Sequence, residues 1–193
     1  MVIGGGPAGL FAALSARTAL NASNSSAIVT LVERNTSLGL KLLATGSGQC
    51  NLTQNTSPEE MANHYGDNGR FLLPVLKACP PSRVMKWFTS WKLPLIVRED
   101  GKVFPRSLRS RDVLHTLEEQ CIQAGVEFKN ECRVVGLVKT LQTFHITLET
   151  GDTLAAEVVI IATGGLSYPT TGSTGDGYLL AKSLGHTIVP VHA

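Results

Sequence analysis

The amino-acid sequence predicts an α/β fold built on a parallel central sheet. Two short β-rich runs, residues 1–3 and 27–32, flank an alanine-rich apolar stretch over residues 10–20 that is typical of a helix. Two strands joined by one helix form a parallel, right-handed βαβ unit. A third buried run, residues 158–162, is rich in valine and isoleucine and predicts another strand.

The middle of the chain predicts an insertion of helices and a hairpin over about residues 58–110. Residues 58–93 are helical in pieces, and Asp100-Gly101 between two β-rich runs is typical of a hairpin turn. An amphipathic helix follows over residues 111–124. The remaining predicted elements are strands at 126–128, 133–138 and 144–149, a helix at about 177–184 and a strand at 187–189, and the fold is expected to include an antiparallel meander.

Composition indicates one domain, or a domain and a half, with a substantial core. The chain has 193 residues, of which 43% are hydrophobic and 17% charged, which excludes disorder and a small disulfide scaffold. A net charge of +2 without a basic run predicts no nucleic-acid partner. Because no apolar run reaches the ~20 residues of a membrane span, we also expect no membrane partner. The four cysteines have no metal-site spacing and predict a reducing, cytoplasmic location without a metal site.

A glycine fingerprint stands where the first strand meets the first helix. Gly4-x-Gly6-x-x-Gly9 follows the strand and opens the helix, with Pro7 and Ala8 inside it. In this context the first glycine permits a tight turn, the second lets the backbone approach a pyrophosphate, and the third allows close helix–strand packing. The amides at the helix N-terminus then face the phosphates. The pattern predicts a Rossmann-like FAD/NAD(P)-binding domain.

An acidic residue ends the second predicted strand. Glu33 lies 24 residues beyond Gly9 and is expected to accept hydrogen bonds from the adenosine ribose. Arg34 next to it has two open roles. It could contact a 2′-phosphate, which would favour NADP, or it could be solvated or stacked near adenine.

Two further glycine-rich crossovers favour FAD over NAD, because FAD lies extended across the ends of several strands. One spans residues 46–51 and the other follows residues 158–162 into Thr163, Gly164 and Gly165. Asp176 then precedes a helix and either caps it or accepts hydrogen bonds from the ribityl hydroxyls.

These motifs occur in the same order in one family of flavoproteins. They are GGGPAG (residues 4–9), GLKLL (39–43), TGSGQCN (45–51), GKVFP (101–105), ATGG (162–165) and YPTTGSTGDGY (168–178). The sequence resembles the NAD(P)/FAD-dependent oxidoreductases of the BaiN/RdsA type, also labelled aminoacetone-oxidase-family FAD-binding enzymes. The resemblance spans nearly the whole chain.

The resemblance implies a two-dinucleotide-binding-domain type of flavoprotein and a set of FAD contacts. The implied contacts are Gly4, Gly6, Pro7, Ala8, Gly9, Glu33, Arg34, Lys41, Ser47, Gly48, Gln49, Cys50, Asn51, the backbone at Val134, Thr163, Gly164 and Gly165, with Asp176 near the flavin. The sequence departs from the family at Gln49, where the family usually carries arginine. It also differs at Lys102, where arginine is commoner in the family, and this change is milder.

The family's length leads us to expect that residues 1–193 are an incomplete FAD-binding domain. Family members are about twice as long and continue into a substrate domain and a closing segment of the flavin domain. We therefore expect the 193-residue chain to hold FAD weakly.

The leading functional interpretation is an FAD-dependent oxidoreductase. It would transfer hydride or electrons between NAD(P)H or a small organic substrate and an acceptor. Two alternatives stay open: an NAD(P)-binding dehydrogenase domain without flavin, and a non-catalytic nucleotide-binding module. No acid–base pair identifies catalytic residues. Cys50 lacks a second cysteine at redox spacing and is expected to pack beside the cofactor. Neither the substrate nor the oligomeric state follows from the sequence.

Overall fold

The computed structural model describes residues 1–190 of the chain. Its strands are β1 (Val2–Ile3), β2 (Thr30–Val32), β3 (Thr53–Gln54), β4 (Leu95–Val97), β5 (Lys102–Pro105), β6 (Glu127–Lys129), β7 (Val134–Lys139), β8 (Phe144–Leu148), β9 (Thr153–Ala156) and β10 (Ile160–Ile161). Its α-helices are α1 (Pro7–Ala22), α2 (Leu40–Ala44), α3 (Pro58–Asn63), α4 (Gly69–Ala78), α5 (Pro81–Ser90), α6 (Ser110–Ala124) and α7 (Asp176–Ser183).

The chain divides into two compact units. The first joins Met1–Lys41 to the chain from Leu117 onward, and the second is Leu42–Thr116. Within residues 1–190 no helix is long and apolar enough to cross a bilayer.

A parallel four-stranded sheet organises the first unit, in the order β10-β1-β2-β6. In register, Val2 lies opposite both Ile160 and Leu31, so β1 is central. The α1 helix packs through Gly9, Leu10 and Ala13, all of them buried. The α/β fold with a parallel central sheet is therefore confirmed.

An antiparallel meander, β7-β8-β9, completes the first unit. Its inward side chains Leu137 and Ile146 share a core with Ile3 and Val32 of the parallel sheet and with Leu180 of α7. This core fixes the end of α7, the element that brings Asp176 into the site. The predicted antiparallel meander is confirmed, with the unexpected β9 as its third strand, whereas the predicted strand at 126–128 is β6 of the parallel sheet.

The second unit combines α3–α5 with a small antiparallel sheet of order β3-β5-β4. A capping box starts α3, in which the Ser57 hydroxyl accepts from the Glu60 amide and the Glu60 carboxylate accepts from the Ser57 amide. The hairpin turn between β4 and β5 uses Gly101 at φ +78°, and Phe88 is almost fully buried in this unit.

Three elements differ from the sequence prediction. Strands β3 and β9 were not expected, and residues 187–189 form no strand in the described part of the chain, although one was predicted. Strand β9 contains two alanines, whose intrinsic strand preference is weak, and it forms because Leu154 and its neighbours pair with β8. Residues 187–189 have the β-branched composition but pair with no strand within residues 1–190. Sequence preference alone does not make a strand without a partner.

Candidate functional site

A cleft in the first unit lies where the parallel strands β1, β2 and β10 end. Gly4 follows β1, Glu33 follows β2 and Ala162 follows β10, and all three line the cleft. Its volume is about 1020 Å³, including space open to solvent. In open α/β sheets, ligands bind outside the carboxyl ends of the strands, and this cleft lies at that place.

Two fingerprint glycines are required by packing. Gly4 has φ +110°, and a Cβ on it would lie 2.5 Å from the carbonyl oxygen of Ala162. A Cβ on Gly9 would lie 1.8 Å from the carbonyl oxygen of Gly4. These contacts close the first turn of α1 tightly onto β1 and β10.

Gly6 has a different environment, because a Cβ there would meet no protein atom within 4 Å. It is the N-cap of α1, with extended backbone at φ −74° and ψ 177°, and no side chain caps the helix. The Leu10 amide donates to the Gly6 carbonyl at 3.0 Å, so the amides of Ala8 and Gly9 precede the first helical bond. No acidic residue lies in the first turn, so no side chain of the helix itself compensates the positive end of its dipole.

The Glu33 carboxylate is buried and fixed by its neighbours. Oε2 accepts from the Gly5 amide at 2.7 Å, and Oε1 accepts from the Asn35 amide at 2.9 Å and from Asn35 Nδ2 at 2.6 Å. A carboxylate offers about four acceptor positions, which leaves one for a further donor. Glu33 therefore both holds the glycine turn and keeps acceptor capacity at the cleft.

The Arg34 guanidinium points toward the segment before α7. Its Nη1 donates to Thr174 Oγ1 at 2.7 Å and to Asp176 Oδ2 at 3.3 Å. The aliphatic part of the side chain lies against Gly172, since a Cβ there would be 3.3 Å from Arg34 Cδ. Arg34 is thus engaged by the protein in this structure, and this arrangement does not favour the 2′-phosphate role.

Asp176 is the first residue of α7 and joins three segments of the first unit. Its Oδ1 accepts from Thr174 Oγ1 at 2.8 Å, and Oδ2 accepts from Arg34 and from Arg133 Nε, the latter at 3.1 Å. Burial works to raise the pKa of Asp176. Hydrogen bonds from Arg133 and Thr174 and the charges of Arg133 and Arg34 outweigh burial, so the pKa lies below its usual value.

The helix-cap alternative for Asp176 is wrong. The N-cap of α7 is Gly175, at φ +80°, and no side chain caps the helix. Asp176 instead holds the two arginines.

Arg133 is a cleft residue that the sequence analysis missed. Besides Asp176, its Nη1 contacts Glu149 Oε1 at 2.8 Å, which ties the start of the meander to the cleft. No motif contains Arg133. The only sequence signal was its position directly before Val134, which also lines the cleft.

Lys41 lines the cleft and contacts the loop after β10. Its Nζ donates to the Ser167 carbonyl at 3.0 Å and to Ser167 Oγ at 2.6 Å. In the same loop, the Gly165 carbonyl accepts from the Gly175 amide at 3.1 Å. Lys41 therefore fixes a loop that continues into the cleft wall.

The TGSGQCN loop belongs to the second unit and has an unusual backbone. Gly46, Ser47, Gly48 and Cys50 all have positive φ, between 54° and 84°. Cys50 is only 5% exposed, and burial raises the pKa of its thiol against the opposing effect of a hydrogen bond with Thr45. The buried thiol agrees with a packing role.

Gln49 in this loop accepts a hydrogen bond from an arginine of the hairpin. The distance from Arg98 Nη2 to Gln49 Oε1 is 2.6 Å, and the same guanidinium lies over the Phe104 ring, 4.0 Å from its centroid. A cation therefore adjoins position 49 although the residue itself is neutral. Asn51 is exposed at the end of the loop.

The structure thus brings most of the expected site residues into one cleft. The residues lining it include Gly4, Gly6, Pro7, Ala8, Glu33, Arg34, Lys41, Val134, Thr163, Gly164 and Asp176. Gly9 packs behind the turn, Gly165 is outside the lining, and residues 47–51 belong to the second unit. Within residues 1–190, no group of three or more side chains is arranged to hold a metal ion.

Comparison with known families identifies the chain. Residues 1–193 match the family described as the HI0933-like protein Rossmann domain. The chain belongs to this family. The family resemblance drawn from the motif order is confirmed.

Curated relatives of this HI0933-like chain include two kinds of enzyme. It is 34% identical over 190 residues to the 3-dehydro-bile acid delta(4,6)-reductase of Clostridium scindens, covering 98% of this chain and 44% of that protein. It is 27% identical over 201 residues to the ribosomal RNA dihydrouridine synthase of Escherichia coli, covering 46% of that protein. The chain spans less than half the length of these relatives.

Solved structures with the same architecture confirm the fold. A flavocytochrome c3 fumarate reductase aligns with a TM-score of 0.64 at 20% identity, over 95% of this chain and 39% of that one. The 3-ketosteroid-delta4-(5alpha)-dehydrogenase of Rhodococcus jostii RHA1 aligns with a TM-score of 0.64 at 18% identity, over 96% of this chain and 53% of that one.

Proposed function

We propose that this HI0933-like chain is the FAD-binding part of a flavin-dependent oxidoreductase. One observation carries the proposal: the uncapped N-terminus of α1 and the buried Glu33 carboxylate lie in one cleft at the ends of three parallel strands. A dinucleotide needs both features, one for the pyrophosphate and one for the ribose.

Different residues of the cleft suit the pyrophosphate and the ribose of FAD. Gly6 and Ala8 would hold the pyrophosphate, because the space beside Gly6 is open and the first-turn amides are free of helical bonds. Glu33 would accept a ribose hydroxyl at its remaining acceptor position. Thr163 and Gly164, from the loop after β10, complete the lining beside the glycine turn.

The redox step would come from the flavin, which exchanges a hydride or electrons when bound. The residues of this chain would bind and orient the cofactor. The α1 amides stabilise negative charge, Glu33 fixes the glycine turn, and Lys41 and Arg34 hold the loop segments of the cleft. We assign no catalytic acid or base to this chain.

We further propose NAD(P)H or an organic substrate as the electron donor, a small organic molecule as the substrate, and action in the cytoplasm. The reductase relative from Clostridium scindens supports a small substrate. The remaining site residues, including residues 47–51 and Gly165, are proposed as FAD contacts on the family resemblance. Residues 1–193 are proposed as an incomplete FAD-binding domain with an insertion at about residues 58–110.

An RNA substrate is the second candidate. The ribosomal RNA dihydrouridine synthase relative favours it, and Leu42–Thr116 contains ten Lys and Arg residues against six Asp and Glu. We expect no RNA binding. A filter-binding titration with a structured RNA at physiological salt separates the two, because saturable RNA binding would replace the small-molecule proposal.

The cofactor is tested by titrating the purified chain with FAD and following the flavin band at about 450 nm, with NAD and NADP titrated in parallel. We expect saturable but weak FAD binding, with most of the flavin lost on desalting. If NAD or NADP binds and FAD does not, the dehydrogenase alternative without flavin replaces this proposal. If FAD binds and no donor reduces it, the non-catalytic module gains support.

A further inference from the structure

Every cation lining the dinucleotide cleft is engaged by an oxygen of the protein. Arg34 contacts Thr174 and Asp176, Arg133 contacts Asp176 and Glu149, and Lys41 contacts Ser167. Among the residues lining the cleft, the described structure contains no other Lys or Arg. A ligand with an additional phosphate would therefore have to displace one of these contacts.

Asp176 has the central place in this arrangement. One of its oxygens, Oδ2, accepts from two arginines that stand 99 positions apart in the chain, Arg34 and Arg133. Its side chain is only 19% exposed, so both contacts are partly shielded from water. Charge-assisted hydrogen bonds of this kind are shorter and stronger than hydrogen bonds between neutral groups.

The contact between Arg34 and Asp176 bears on which nucleotides the cleft accepts, because of where Arg34 lies. In dinucleotide-binding folds the acid at the end of the second strand binds the ribose 2′-hydroxyl, and an arginine nearby accommodates a 2′-phosphate. Here Glu33 is that acid and Arg34 is its direct neighbour, but the guanidinium is turned to Thr174 and Asp176.

We propose that Asp176 is a specificity-determining residue, which holds Arg34 away from the adenosine ribose and so excludes nucleotides that carry a 2′-phosphate. The inference rests on the proposed dinucleotide function of the cleft. It assigns the cleft to FAD and other adenosine nucleotides without that phosphate, and keeps NADPH out of it. Asp176 acts through Arg34 and needs no contact with the adenosine itself.

The test compares two small probes that differ only by the 2′-phosphate, 5′-AMP and 2′,5′-ADP, by isothermal titration at one fixed ionic strength, because phosphate contacts are screened by salt. We expect the unaltered chain to prefer 5′-AMP by at least about tenfold, since the added phosphate meets Glu33 and no free cation. Asp176→Asn should reduce this preference by about tenfold, the worth of one charge-assisted hydrogen bond.

Three further variants complete the test. Arg34→Gln combined with Asp176→Asn should restore the preference for the probe without the 2′-phosphate, because the guanidinium that Asp176→Asn releases is then absent. Asp152→Asn removes the same charge from an exposed turn of the meander, where Asp152 bonds Thr150, and should leave the ratio unchanged. Thr174→Val should shift the ratio in the same direction as Asp176→Asn but by less, and it serves if the latter variant fails to fold.

The ratio of the two affinities separates specificity from a structural defect, because a damaged cleft weakens both probes together. If FAD binds but the ratio is the same in the unaltered chain, Asp176→Asn and Thr174→Val, Asp176 has no such role and the inference is overturned. If the folded chain binds neither FAD nor 5′-AMP, the proposed function fails as well.

Discussion

Substituting Gly6 by alanine should weaken FAD binding by at least about tenfold while leaving the protein folded. At this position φ is −74° and ψ is 177°, which any residue adopts, and a Cβ would meet no protein atom within 4 Å. The methyl group would instead occupy the space through which a pyrophosphate approaches the α1 amides. Hydrogen bonds to charged groups are worth about 1.5–3 kcal/mol each. Losing one of them weakens binding by about 10- to 150-fold.

The assay is a titration of FAD fluorescence beside thermal unfolding of the same samples. Gly6→Ala should change the free energy of unfolding by no more than about 1 kcal/mol, the usual difference between N-cap residues. Gly9→Ala is the matched control with the same added methyl, and its Cβ would lie 1.8 Å from the Gly4 carbonyl. We expect that control to lose about 3 kcal/mol or more of stability through overpacking. An FAD affinity for Gly6→Ala within about threefold of the unaltered chain would refute the pyrophosphate assignment.

Three other outcomes follow from the contacts of the cleft and the cysteines. The pKa of Asp176 is lowered in the folded chain, so its ion pairs stabilise the fold above the unfolded pKa of about 4 and are lost as pH falls through the folded value. Asp176→Asn removes this contribution, so we expect its free energy of unfolding to depend less steeply on pH in that range. Acid unfolding followed by circular dichroism measures the difference. Lys41→Met removes both contacts to Ser167, and hydrogen exchange of the Gly172 amide should accelerate while the β8 amides stay unchanged. Burial raises the pKa of Cys50, and that of Cys121 to about 11, so both should react with a thiol reagent at pH 8 more slowly than the partly exposed Cys79, and equal rates would contradict their burial.

The glycine turn could be predicted because its causes lie close together in the chain. Gly4 and Gly9 are five positions apart, and the spacing of the fingerprint encodes both the turn and the contact that closes it. The βαβ unit follows from the same stretch, since strand, helix and strand are consecutive. Glu33 could be placed at the site because it ends the second strand of that unit.

The strands that sequence reasoning missed or misplaced depend on partners elsewhere. Leu154 of β9 pairs with Ile146 across a turn, and that pairing outweighs the weak strand preference of its alanines. Residues 187–189 show the reverse case, with suitable composition and no strand partner within residues 1–190.

By itself the sequence determined the fold class, the family and the dinucleotide turn, because each is written in short, local patterns. Only the tertiary structure decided what Arg34 and Asp176 do. They are separated by 142 positions, and their contact exists because β2 and α7 converge on one cleft. It also revealed Arg133, which no motif contains, as the second arginine on Asp176. A charged side chain pairs with whatever the fold brings near it, and that neighbour has no fixed spacing along the chain.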